Sequence, residues 1–257
     1  MNVEEYFQEL YITTQEELKV RMKWLAEGKG NKVRIIKTIR LFTNTLGIVE
    51  VCYKGEYLIA KQYFYQSSKA QEWFYEEYIK KEYEIEEYEV TTYIYETLYS
   101  AILSGSKEQR ERMAKLFGSY AEEEKNDFLA NVLLGYSLKY IILDDKDNAM
   151  KYIEQLEDKK SKAGMKQLAE GHARAFRGLI EGNEEEFNKG LEFMLKHHVA
   201  RMKRDGRKLE QYFAFDSVAL AMLAKERGIN ITVKHELLPE EYLEETDIDY
   251  SAIEVFL

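Results

Sequence analysis

Residues 211–243 read QYFAFDSVALAMLAKERGINITVKHELLPEEYL, from Gln211 to Leu243. Every residue from Val218 to Ala224 is apolar, so a helix here has no face suited to water. Lys225 and Arg227 suit the negative end of the helix dipole, and Gly228 provides a left-handed stop. Ile229 is then placed to fold back on the last turn. A helix that is apolar all round is a central element, and other helices must surround it.

The rest of the composition agrees with a mainly helical chain. Proline, the strongest helix breaker, occurs once in 257 residues, at Pro239, which leaves almost the whole length free to be helical. No flexible linker divides the chain, so residues 1–257 read as a single all-α domain of antiparallel helix hairpins. Residues 1–105 form a tyrosine-rich helical half and residues 106–257 a helix-hairpin half. Cys52 is the only cysteine, which rules out an internal disulfide. The N-terminus, MNVEEYFQEL, has acids where a secretion signal needs bases, and no apolar run approaches the ~20 residues of a membrane span. These features predict a cytoplasmic protein.

Outward from the central helix, Val3, Phe7, Leu10 and Tyr11 share one helical face. Thr14 to Glu17 matches a capping box and predicts a second helix carrying Leu18, Met22 and Leu25. A third helix is predicted over about residues 33–53, with Gly47 marking a kink. Ser67-Ser68 predicts a break between two long helices. Between Tyr53 and Tyr99 lie eleven of the twenty tyrosines; Tyr83 to Tyr99 also holds strand-favouring residues, but its surroundings predict helix. Ser106 to Gln109 is another capping box, opening a helix that stops at Gly118, and Asn126 or Asp127 caps the next. Two similar units follow, with Met150 and Phe187 in register about 37 residues apart, the period of tetratricopeptide-like arrays. Ile229, Ile231 and Val233 alternate as in a short extended segment, near residues 229–234, and Pro239 opens a helical turn, E-E-Y-L.

Charge is unevenly spread. The formal net charge is −10. Glu72 to Glu89 has eight glutamates and two lysines, and Glu236 to Leu257 has eight acids without a base. Lys189 to Lys208 has seven bases against Glu192 and Asp205. Such blocks either form solvated helix faces or select oppositely charged partners.

No pattern for chemistry emerges. None of the positions three or four residues from His172, His197 or His198 carries a metal ligand. Cys52 lies between Val51 and Tyr53 on an apolar face and reads as a small core residue. G-x-S-x-G, the phosphate-binding G-x-x-x-x-G-K-[ST] and G-x-G-x-x-G are absent. Neither catalytic residues, a cofactor nor a metal site is therefore expected. Lys196 to Lys208 is the one basic stretch, and the acidic chain as a whole would repel nucleic-acid phosphate. Neither nucleic acid nor a membrane is an expected partner.

The C-terminal third resembles the immunity protein 49 family of bacterial polymorphic toxin systems. The residues that carry the likeness are His197-His198 and Arg201 on one helix, then F-x-F-D-S-V-A-L-A-M-L-A-K-E-R-G-I from Phe213 to Ile229. L-L-P-E-E-Y-L closes the pattern, and G-L-I-E-G-N-E-E-E-F from Gly178 to Phe187 precedes it. The resemblance spans about 90 residues. It implies stoichiometric, non-catalytic neutralisation of a cognate protein toxin. A basic nuclease would fit an acidic inhibitor, because charge speeds encounter and blocks the cleft. The combination of acids and rings nominates Trp73, Tyr75, Glu76, Glu77, Tyr78, Tyr83, Glu84, Glu86, Glu87 and Tyr88 as toxin contacts. A peptide-binding tetratricopeptide-like scaffold is the competing reading, and a helical enzyme with dispersed carboxylates a third.

Overall fold

The computed structural model describes residues 2–118, 129–162, 164–205 and 209–253. All of its regular structure is helical, with no strand among the described residues. Helix α1 (Val3–Ala26) is capped by Asn2, whose side chain accepts the Glu5 N–H while the Glu5 carboxylate accepts the Asn2 N–H. It runs unbroken past Thr14, where the capping-box pattern predicted a new start. Thr14 is buried inside the helix, so its hydroxyl caps nothing. Helix α2 (Lys32–Val49) lies between α1 and α3 and continues into a π turn, Glu50–Lys54. The departure from α geometry therefore follows Gly47 instead of occurring at it. At Gly47 the ring of Phe64 occupies the space of a side chain.

Helix α3 (Tyr57–Lys80) also passes through its predicted break. Ser67 and Ser68 are buried, and their hydroxyls are satisfied by distant partners: Ser67 donates to the Arg40 carbonyl (3.0 Å) and Ser68 accepts from Gln109 (3.0 Å). Of the helix expected over Tyr83 to Tyr99 only the end, from Thr97, is α-helical; before it lie two 3-10 turns, Glu87–Glu89 and Thr92–Ile94. Ile85 and Val90 face the core while Glu89 is drawn inward between Lys37 and Arg40. Glu89, Val90, Thr91 and Thr92 are buried in succession, which no single helical stripe provides. Helix α4 (Thr97–Leu103) leads into α5 (Lys107–Leu116), where Ser106 caps the Gln109 N–H as expected. The Gln109 side chain does not return the bond; it reaches Ser68 and Glu72.

Two helix hairpins follow. The first pairs α6 (Leu129–Ile142) with α7 (Lys146–Asp158), capped by Asp145. The cap expected at Asn126 or Asp127 lies outside the described residues. The second follows a π turn, Ala169–Ala173, and pairs α8 (Arg174–Glu181) with α9 (Glu184–Asp205). Here two glycines let backbones touch: a Cβ on Gly178 would lie 2.5 Å from the Phe187 nitrogen, and one on Gly190 2.5 Å from the Ala175 nitrogen.

Helix α10 (Phe215–Glu226) is the central element the sequence predicted. Ser217 through Ala224 are all buried, and α4, α8 and α9 pack around it. Each fully buried Leu, Val or Met contributes about 1.5–3 kcal/mol. It ends at Gly228, with φ of 75°. The extended piece beyond it pairs with a side chain: Asn188 donates to the Asn230 carbonyl and accepts the Thr232 N–H. The chain then turns back across the N-terminal half. Tyr242 donates to the Leu103 carbonyl, Tyr250 to that of Ser104, and buried Lys61 to that of Glu244. One contiguous hydrophobic cluster joins both halves. No helix among the described residues is long and apolar enough to cross a membrane.

Candidate functional site

The joint between the two halves encloses a cavity of about 490 Å³, whose lining comes from α2, the 93–100 segment, the π turn before α8, α9 and the start of α10. Phe213 and Phe215 fix its geometry. Their rings insert among Phe64, Tyr99 and Tyr242, at centroid separations of 5.8–6.3 Å for Phe64–Phe215, Phe64–Phe213, Tyr99–Phe215 and Phe213–Tyr242. Edge-on and offset contacts of this kind each add about 0.5–1.5 kcal/mol beyond area burial. Because the rings are anchored, the next residue, Asp216, is held in the cavity wall.

Asp216 is well supported there. Its Oδ1 accepts the Ser217 N–H (2.7 Å) and its Oδ2 lies 3.0 Å from His172 Nε2. Burial alone would raise its carboxyl; the His172 hydrogen bond and charge, the His198 charge and the Ser217 N–H outweigh burial and hold it well below the usual carboxylate range. His198 points its Nε2 at the Glu210 carbonyl, 2.7 Å away. His197, one residue earlier, is lowered by burial and by the cations Arg201, His172 and Arg204. Arg201 is exposed at the cavity mouth and makes no ion pair among the described residues. Tyr99, packed edge-on against Phe215, is 2% exposed, and its buried hydroxyl has no hydrogen-bond partner.

Sequence reasoning set these histidines aside because none has a second ligand on its own helix. The structure gathers His172, His197, His198, Arg201 and Asp216 from three separate elements. Among the described residues, no group of three His, Cys, Asp or Glu side chains is arranged to hold a metal ion. The signal was present in the motif: His197, His198, Arg201, Phe213, Phe215 and Asp216 carried the family resemblance, and all six line this cavity.

The residues nominated as toxin contacts divide into two groups. Trp73, Tyr75 and Glu77 are buried, Tyr75 completely, and belong to the core or to internal ion pairs. They are removed from the surface set, because α3 turns that face inward. Tyr78 packs partly buried against the core, and Glu76 is held by Arg112 and Lys80. Tyr83, Glu84, Glu86, Glu87 and Tyr88 are exposed and rim a groove against the first turns of α2. Tyr83 leans on Trp73 with Lys32 5.1 Å from its ring, and Lys37 donates to the Tyr88 hydroxyl at 2.6 Å. Glu89 is already spent on Lys37 and Arg40. Glu84, Glu86 and Glu87 make no ion pair among the described residues.

Fold and site together define an all-α protein with a polar cavity at its central joint and a separate acid-rimmed groove. Residues 96–242 match the family described as Immunity protein 49. The match covers more than half of the chain, which belongs to that family. Comparison with curated proteins returned no match, and comparison with solved structures returned none either.

Proposed function

We propose that this immunity protein binds a cognate protein toxin stoichiometrically and neutralises it without chemistry of its own. Membership of the family supports the class of partner. The contact surface is the groove rimmed by Tyr83 to Tyr88. One observation carries that choice: Glu84, Glu86 and Glu87 are exposed and unpaired, flanked by two tyrosines already held in place by Lys32 and Lys37. Unspent charge steers a basic partner, and pre-positioned rings lose little entropy when they are covered. A toxin with a basic face, such as a nuclease, has the complementary chemistry.

The test is the triple substitution Glu84→Lys, Glu86→Lys and Glu87→Lys. Three reversals move the formal charge from −10 to about −4. Association with the co-encoded toxin should slow by about ten- to a hundredfold at low salt, and the difference should shrink as salt rises. Equal affinity at low salt would dismiss this surface. Titration of toxin activity should reach its endpoint at a fixed molar ratio; progressive inactivation by a trace of the protein would show turnover and overturn the non-catalytic reading.

A further inference from the structure

We propose that Tyr93 and Leu41 anchor the toxin, in an interface that runs from the acid-rimmed groove onto the ridge beside the central cavity. The proposal rests on the reading of the groove as the toxin surface. Among the described residues only three tyrosines are exposed, Tyr83, Tyr88 and Tyr93, and all three line that one groove. Tyr93 is the most open of them, at 53% against 38% for Tyr83 and 42% for Tyr88. It also lines the cavity, so it stands on the ridge between the two hollows. Leu41, likewise 53% exposed, borders the same cavity. Lys37, Leu41, Thr45 and Ile48 recur at three- and four-residue steps on one stripe of α2; Lys37 lines the groove and the other three line the cavity.

Charge alone does not hold a partner here. Glu84, Glu86, Glu87 and Glu89 line the groove together with Lys32, Arg34 and Lys37, four acids against three bases and a net of one negative charge. The unpaired acids of the rim draw basic groups to the border of the surface and add little to its grip. The grip falls to apolar area that leaves water on contact, and Tyr93 and Leu41 are the rim side chains with most of it to give. A tyrosine also loses little conformational freedom when covered, having two side-chain torsions to fix. The partner's chemistry follows: a protein face with an apolar recess for a ring and a leucine, bordered by lysine or arginine.

Surface plasmon resonance against the immobilised co-encoded toxin separates guiding from holding. Tyr93→Ala in the full-length protein should raise the dissociation rate about thirtyfold or more, and Leu41→Ala about tenfold. Association should change less than about threefold for either, whatever the salt concentration. The combined Glu84→Lys, Glu86→Lys and Glu87→Lys variant should do the reverse, slowing association at low salt while dissociation stays within about threefold. Both anchor side chains are half open, so each variant should melt within about 2 °C of the unaltered protein, and Leu41 on α2 gives a reading independent of the turn that carries Tyr93. Leu58→Ala, 50% exposed on the first turn of α3, is the matched control and should leave both rates unchanged. Bound toxin should also shield Tyr93 from nitration by tetranitromethane. Dissociation indifferent to Tyr93→Ala and Leu41→Ala, a charge-reversed variant that dissociates as fast as Tyr93→Ala, a Leu58→Ala variant as weak as Leu41→Ala, or an unshielded Tyr93 would each overturn the anchor and leave the toxin reading standing. Failure of the unaltered protein to bind the toxin would instead remove that reading, and the anchor with it.

Discussion

Replacing Asp216 with asparagine tests how the cavity wall is built. The substitution keeps the size of the side chain and an oxygen able to accept the Ser217 N–H, but it removes the charge facing His172 Nε2 at 3.0 Å. The His172 and Asp216 side chains are 12% and 25% exposed. With the imidazole protonated, the pair therefore lies between a surface ion pair, worth about 0–1 kcal/mol, and a fully buried one, whose disruption costs about 3–5 kcal/mol. A loss of about 2 kcal/mol follows. With an unfolding entropy of about 2.1 cal/mol/K per residue, a chain of this length has about 0.5 kcal/mol/K, so the melting temperature should fall by about 4 °C at about pH 5, where an imidazole carries its proton. The pH dependence has a definite sign. The folded carboxyl is held below its ordinary range, so its contribution is complete above the unfolded value of about 3.9 and is lost as pH falls through the folded value. The carboxylate's share of the gap between the unaltered protein and Asp216→Asn should thus be fully present at about pH 5 and narrow below about pH 4. Thermal unfolding followed by circular dichroism measures it, and a double-mutant cycle with His172→Gln should give a coupling of about 1 kcal/mol or more. A melting temperature within about 1 °C of the unaltered protein at about pH 5, or a gap that persists undiminished below about pH 4, would refute the reasoning.

Two further substitutions probe the frame around that site. Gly190→Val would drive a side chain into the Ala175 backbone, 2.5 Å from its would-be Cβ, and should cost about 3 kcal/mol or more in a denaturant titration; an unchanged midpoint would show that α8 and α9 do not touch as described. Burial pushes the Cys52 thiol up to about 12, and its Sγ donates to the Tyr212 carbonyl at 3.2 Å. A disulfide reagent at about pH 8 should therefore react with the native protein at least about tenfold more slowly than with the unfolded chain, and equal rates would contradict this.

What was legible in the sequence was local. Val218 to Ala224 declared the buried helix, Gly228 its end, Ser106 the start of α5, and Pro239 the turn Glu240–Leu243, because each signal acts within a few residues of itself. The errors share one cause. Thr14 and Ser67-Ser68 read as helix boundaries because a hydroxyl in mid-helix ordinarily competes for backbone hydrogen bonds. In the fold, Ser67 and Ser68 are occupied by partners 27 and 41 residues away, which no local window can see. Tyr75 and Glu77 were nominated as contacts from composition alone, which says that acids and rings are mixed but not which of them face inward. The cavity escaped for a complementary reason: His172 meets Asp216 across 44 residues of chain, and the helix carrying His197 and His198 is a third, separate element.

The two candidate surfaces differ in their relation to the family match. The cavity takes its histidines, Arg201, Phe213, Phe215 and Asp216 from within residues 96–242, whereas the groove is built from residues 31–37 and 83–93, all before the match begins. The physical roles divide along the same line. Phe213 and Phe215 are wedged into rings of the N-terminal half, so a change there loosens the joint and alters every surface the joint supports. Glu84, Glu86 and Glu87 touch no cation among the described residues, so a change there leaves the joint untouched and alters only what approaches from outside. A surface whose charge can vary at almost no cost to folding is suited to being matched to a particular partner. A joint that fixes two halves through five interlocked rings is suited to being kept.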